Sequence, residues 1–248
     1  QYGTACARGD WMDIRIDKPN NDNVKTDLRK MQIPLGPVIV FGSSNFPFAY
    51  STAGGDTTCA LAAGCPVIVK AHPAHASTSQ MVADLIAEAV KEQELPSGIF
   101  SHVHGESFEV GEMLVMHDIT RAVGFTGSLN GGKQLFDWAA KRKIPIPVFS
   151  EMGSTNPVFM LPQKLESDAT DLARQYASSI TTNAGQFCTK PGLIIAIEGQ
   201  GLTKFIHELK SQIQKVAPQK MLHTGIANAY QDHKKEAIRQ ESVVEIAS

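Results

Sequence analysis

A chain of 248 residues, 42% hydrophobic and 19% charged, is an ordinary globular mix with room for one large domain or two smaller ones. Its 23 basic and 25 acidic side chains nearly cancel, so no strong field gathers nucleic acid or anionic lipid, and a small-molecule ligand is the expectation. The longest apolar run, residues 59–69, is broken by Gly64 and Pro66 and is too short to span a bilayer.

Two short alternating segments, residues 11–17 and 27–33, flank the turn-rich Lys18-Pro19-Asn20-Asn21-Asp22-Asn23 and predict a β-hairpin standing apart from the rest of the chain. From Pro34 onward, short apolar strands alternate with helical patterns. Strands are predicted at Val38–Phe41, Val67–Lys70 and residues 100–104, 122–125 and 147–150. The clearest helix covers residues 77–93, with Met81, Val82, Leu85, Ile86, Ala89 and Val90 on one face and Ser77 and Gln80 as a capping box. After Gly153 the pattern begins again, with strands at residues 157–161 and 193–197 and helices at 169–181 and 202–215. The expected fold is α/β: a Rossmann-like, mainly parallel sheet with helices on both faces, preceded by a β-hairpin and followed by the start of a second α/β domain. The corresponding segments are residues 1–33, 34–153 and 154–248.

The four cysteines, Cys6, Cys59, Cys65 and Cys188, have neither CxxC spacing nor histidine partners at zinc-ligand distance, so no metal is expected. Cys59 and Cys65 read as small buried thiols in an Ala-rich stretch, which suits a reduced, cytoplasmic setting. Cys188 differs, standing among polar residues in Gly185-Gln186-Phe187-Cys188-Thr189, in a loop leading into a strand where backbone N–H groups favour a thiolate. Glu151 ends an apolar strand at the sheet edge where ligands bind in open α/β folds, a position suited to a general base. Asn45, after the first strand, offers an amide to a developing oxyanion. The small residues of Gly124-Phe125-Thr126-Gly127-Ser128 and Gly131-Gly132 let backbone N–H groups approach a pyrophosphate. Lys70 ends the second strand, within reach of ribose hydroxyls or a phosphate. Singly, each has a bland reading as a turn, surface or packing residue.

In this order, Asn-Phe-Pro, a strand-end Lys, Phe-Thr-Gly-Ser, Glu-Met-Gly and Gly-Gln-x-Cys-Thr resemble the N-terminal motif series of the aldehyde dehydrogenase superfamily. Gly-Cys-Pro-Val-Ile-Val-Lys-Ala-His-Pro-Ala-His and Glu-Met-Gly-Ser-Thr-Asn-Pro-Val-Phe look most like the α-ketoglutaric semialdehyde (2,5-dioxopentanoate) dehydrogenase branch. NADP-using bacterial long-chain aldehyde dehydrogenases are similar there. The resemblance implies Cys188 as nucleophile, Asn45 and the Cys188 N–H as oxyanion donors, and Glu151 as the base that activates water. It further implies that residues 127–132, with Gly127, Ser128 and Gly132, hold a pyrophosphate, that Lys70 holds the adenosine ribose, and that Thr126 lines the nicotinamide pocket. Where most members have Pro-Ser-Glu after the lysine, this chain has Ala71-His72-Pro73. Loss of that carboxylate, with a positive His72 beside Lys70, favours NADP while leaving NAD possible. The hairpin matches the family's oligomerisation hairpin, so a homo-oligomer is implied.

The chain opens on Gln1 and stops at Ser248, ahead of the family's downstream Glu-x-Phe-Gly-Pro motif. The expectation is therefore an internal piece of a longer enzyme, inactive by itself and prone to associate through unpaired strand edges. Two other readings stand beside oxidation of an aldehyde to its acid: a CoA-acylating relative, against which Glu151 argues, and a non-catalytic nucleotide-binding or interaction module.

Overall fold

The computed structural model describes residues 13–19 and 26–247. Cys6, Trp11, Met12 and residues 20–23 of the predicted hairpin turn lie outside the described residues. The chain divides into two compact units, Gln1–Met152 and Gly153–Ser248.

In the first unit β1 (Arg15–Asp17) and β2 (Leu28–Lys30) pair antiparallel, with Ile16 opposite Arg29. The body of the unit is a parallel five-stranded sheet of β3 (Val38–Phe41), β4 (Val67–Lys70), β5 (Phe100–Val103), β6 (Ala122–Gly127) and β7 (Val148–Met152), in the order β5-β4-β3-β6-β7. Helices α1 (Gly55–Ala62), α2 (Ala76–Glu92), α3 (Phe108–Met116) and α4 (Leu129–Lys141) connect the strands. The runs Val-Ile-Val-Phe and Val-Ile-Val-Lys open on three β-branched residues each, as a strand covered on both faces requires. Alternation then divides them. Val38, Val40, Val67, Val69 and Ala122 pack with Ala60 and Leu61 of α1, while Phe41, Val123, Phe125 and Val148 pack with Val115 of α3 and Leu135 and Ala139 of α4.

In the second unit β8 (Pro157–Met160) pairs in parallel with β9 (Leu193–Ala196), joined by α5 (Pro162–Thr181); α6 (Gln200–Ile213) and α7 (Thr224–Ile238) complete it. Leu165, Ala169, Ala173 and Ala177 of α5 form a stripe four residues apart that buries Phe205 and Leu209 of α6. A Cβ at Gly201 would lie 2.8 Å from the backbone of Leu165 and Glu166, so only glycine lets α6 start this close to α5.

Several expectations need correction. Ser77 and Gln80 form no capping box: His75 occupies the N-cap of α2 without a side-chain cap, and Gln80 bonds Asp84 and His104 instead. β6 and β7 run on to Gly127 and Met152, so Thr126 and Glu151 are strand residues. α5 begins at Pro162 and kinks at Asp168. The sequence pattern does not predict α7, because its apolar residues are too sparse to make a clear face. Cys65 is buried as expected, whereas Cys59 is exposed; both are free.

Candidate active site

β3 lies between β4 and β6, and the chain leaves it toward one neighbour before returning to the other. The connections at the carboxyl end of β3 therefore diverge, which opens a crevice where ligands bind in sheets of this kind. On the α3–α4 face, a cleft of about 310 Å³ is lined by Phe41, Lys70, His72, Glu106, Phe125 and Trp138 among others. Phe41 and Phe125 meet edge to face, with centroids 6.5 Å apart. Gly111 also lines the cleft, where a Cβ would lie 3.4 Å from Phe41 and 3.7 Å from Trp138, in ordinary contact with both.

Lys70 is half-buried at the end of β4. Burial pulls its ammonium below the usual lysine range, and the carboxylate of Glu106 works the other way. His72 caps the short turn Pro73–His75, its Nδ1 accepting the Ala74 N–H at 3.1 Å. An imidazolium has no acceptor nitrogen, so a positively charged His72 would have to give up this bond.

The opposite face carries a different set. Asn45 lies in a loop closed by the Ser43 N–H donating to the Tyr50 carbonyl at 2.8 Å, and the Phe46 and Tyr50 rings meet edge to face at 5.5 Å. His75 Nε2 stands 2.7 Å from the Ser43 carbonyl and anchors that loop to the turn after β4. Thr126 is buried, and its Oγ1 donates to Asp56 Oδ2 at 3.2 Å. Glu151 is the register partner of Thr126, so the two side chains share this face; Glu151 is exposed rather than buried among apolar neighbours.

The glycine-rich turn has a packing reason as well as the expected one. A Cβ at Gly127 would lie 2.6 Å from the Phe125 ring, and one at Gly132 would lie 2.6 Å from Met152 Sδ. Ser128 caps α4, its Oγ accepting the Gly131 N–H at 3.1 Å.

Cys188 belongs to the second unit, half-exposed and free, in a turn closed by the Lys190 N–H donating to the Phe187 carbonyl at 3.2 Å. Three consecutive left-handed residues precede it: Asn183 (φ 52°), Ala184 (φ 53°) and Gly185 (φ 72°). Ser154 Oγ and Asn156 Nδ2 donate to the Cys188 carbonyl at 3.2 and 2.6 Å, and Asn156 also donates to the Lys190 carbonyl at 2.9 Å. The Ser154-Thr155-Asn156 stretch, which has no evident role in the bare sequence, thus holds the cysteine loop.

Asp56 and Glu106 also escape a reading of sequence. A signal for Asp56 exists: it is the sole charged residue between Lys30 and Lys70. Among the described residues, no group of three or more His, Cys, Asp or Glu is arranged to hold a metal ion, and no helix is long and apolar enough to cross a membrane.

A parallel sheet whose strand order reverses beside a cleft of this kind defines a nucleotide-binding class of α/β fold. Within that class the chain belongs to the aldehyde dehydrogenase family, whose profile matches residues 10–247. It is 44% identical over 233 residues to an alpha-ketoglutaric semialdehyde dehydrogenase of Acinetobacter baylyi, covering 93% of this chain and 44% of that protein. It is 48% identical over 208 residues to alpha-ketoglutaric semialdehyde dehydrogenase 2 of Azospirillum brasilense, covering 84% of this chain and 40% of the relative. The chain therefore spans less than half the length of either. Among solved structures, an NAD-dependent benzaldehyde dehydrogenase from Corynebacterium glutamicum superposes with a TM-score of 0.77 at 20% identity, over 99% of this chain and 52% of that one. An NAD-dependent aldehyde dehydrogenase from Sinorhizobium meliloti gives 0.74 at 23% identity, over 96% and 46%. At such identities these two bear on the fold alone.

Proposed function

We propose that this chain carries the nucleotide-binding part, the nucleophile and the general base of an enzyme that oxidises an aldehyde to its carboxylic acid with NADP or NAD. α-Ketoglutaric semialdehyde is the substrate its relatives suggest. The observation that carries the reading is the Lys70 cleft, at the carboxyl ends of β3 and β4 and beside the switch point, in a chain of this family. The cleft suits an adenosine: aromatic rings line it, and Lys70 brings an ammonium to one side. Lys70 attracts a 2′-phosphate, whereas Glu106 repels it and offers an acceptor to a 2′-hydroxyl. The N-terminus of α4, with Gly127, Ser128 and Gly132, is assigned the pyrophosphate. Thr126, on the other face, is assigned the nicotinamide end.

In this reading the Cys188 thiolate adds to the aldehyde carbon, while the Asn45 amide and the Cys188 N–H donate to the oxyanion. The dinucleotide, when bound, supplies the acceptor for the hydride that leaves the adduct, which converts it into a thioester on Cys188. Glu151 then takes a proton from water, which attacks the thioester and frees the acid and the thiolate. A base for water at Glu151 is what favours hydrolysis over transfer to CoA. The exposed apolar residues of the hairpin, Ile14, Ile16 and Leu28, support its assignment as a contact with a second copy.

The test is single-turnover oxidation of α-ketoglutaric semialdehyde, measured as reduced dinucleotide, in the enzyme and in Cys188→Ala. The variant is expected to lose oxidation while still binding dinucleotide. Retention of a tenth of the activity would reject Cys188 as nucleophile.

A further inference from the structure

Asp56 is a carboxyl group in an otherwise uncharged stretch, residues 31–69, and it is half-buried. A Cβ built at Gly124 would lie 3.3 Å from Asp56 Cβ, so this side chain lies close against β6, where any larger residue would crowd it. Burial pushes the carboxyl above the usual carboxylate range, so the site is kept against a desolvation cost. Its side-chain partner is the Thr126 hydroxyl, 3.2 Å from Oδ2.

A threonine side chain has three staggered wells, and a neighbour that accepts its hydroxyl proton selects among them. The register offers Thr126 a second acceptor: Glu151 is its partner on β7, about 4.8 Å away at the backbone and on the same face. A hydroxyl donating to a carboxylate stabilises the charged form and makes that carboxylate a weaker base. We propose that Asp56 is a positioning residue that holds the Thr126 hydroxyl toward α1 and so keeps it off Glu151, leaving that carboxylate open to water. The inference rests on Glu151 being the base for thioester hydrolysis; Asp56 itself touches no reacting atom.

Removing the acceptor should turn Thr126 around. A crystal structure of Asp56→Ala is expected to have Thr126 Oγ1 within hydrogen-bond distance of Glu151. Thioester hydrolysis should slow about five- to tenfold, the scale of one added hydrogen bond on the base. Asp56→Asn keeps an oxygen acceptor and should recover most of the lost rate. The distinguishing comparison is made in the Thr126→Val background, where no hydroxyl remains to turn: there, truncating Asp56 should leave hydrolysis unchanged. Equal slowing in both backgrounds, or a Thr126 that keeps its rotamer in Asp56→Ala, overturns this inference alone. A wild-type enzyme that hydrolyses no thioester overturns the functional reading, whichever way Thr126 turns.

Discussion

If the Lys70 cleft takes the adenosine ribose as proposed, the charge of Glu106 is expected to bear on which dinucleotide it prefers. By sequence, replacing the usual glutamate by Pro73 frees the ribose site of negative charge, but the fold brings Glu106 to the same cleft from the loop after β5. Its carboxylate is close enough to Lys70 to counter the effect of burial on that ammonium. Glu106→Gln should therefore raise the NADP-to-NAD ratio of kcat/KM by about tenfold, the effect of removing one like charge near the 2′-phosphate at an effective dielectric constant of about 20 or higher. An unchanged ratio in side-by-side kinetics would remove Glu106 from the specificity site. Asp56 has a signature of its own in stability. Its folded carboxyl binds a proton more tightly than the unfolded one, which titrates near about 3.9. As pH rises from the unfolded value through the raised folded value, the native state ionises reluctantly and stability is lost. Asp56→Asn does not titrate, so the variant should gain on the wild type as pH rises through that window and then hold a constant lead. Denaturant midpoints across a pH series would measure this, and parallel curves would contradict it.

At the scale of elements, the strands were the legible part because β-branched runs such as the one opening Val38–Phe41 admit little else. The catalytic candidates were legible through the order of short motifs. What escaped was set by tertiary contacts. Thr126 and Glu151 read as turn and strand-end residues, yet pairing between β6 and β7 extends both strands through them. The Ser77-to-Gln80 spacing has the form of a capping box, but Gln80 finds His104 on the neighbouring segment and never reaches back. Nothing in a window of sequence around Arg142 announces its task either. Almost fully buried, its guanidinium donates to the carbonyls of Val115, His117, Thr120 and Ile144, closing the end of α3 and the loop beyond. Arg142→Ala would leave two of these acceptors, the Val115 and Thr120 carbonyls, buried and short of a partner, each costing about 1–3 kcal/mol. We expect a loss of at least about 2 kcal/mol in urea unfolding, little restored by Arg142→Lys, whose single ammonium cannot reproduce the planar fork. A change below about 0.5 kcal/mol, the usual range for surface substitutions, would mean that water replaces the guanidinium without penalty.

At the scale of the molecule, each unit has its own interior. The sheet of the first unit is sealed by two clusters, one on either face, and the second unit closes on Phe205 between α5 and α6. Phe205→Ala should cost about 3–5 kcal/mol, the usual range for emptying a buried aromatic site. If the units are separate in cooperativity, amide-exchange protection will fall across residues 153–248 while β3, β4 and β6 keep theirs. Loss of protection spread evenly over both units would indicate one cooperative block instead.

Trp138 stands in the wall of the Lys70 cleft, half-buried beside Phe41 and Phe125. An indole so placed changes its emission when the medium around it changes from water to a stacked base or sugar. If the cleft binds the dinucleotide as proposed, the chain carries an unlabelled optical reporter in the wall of that site.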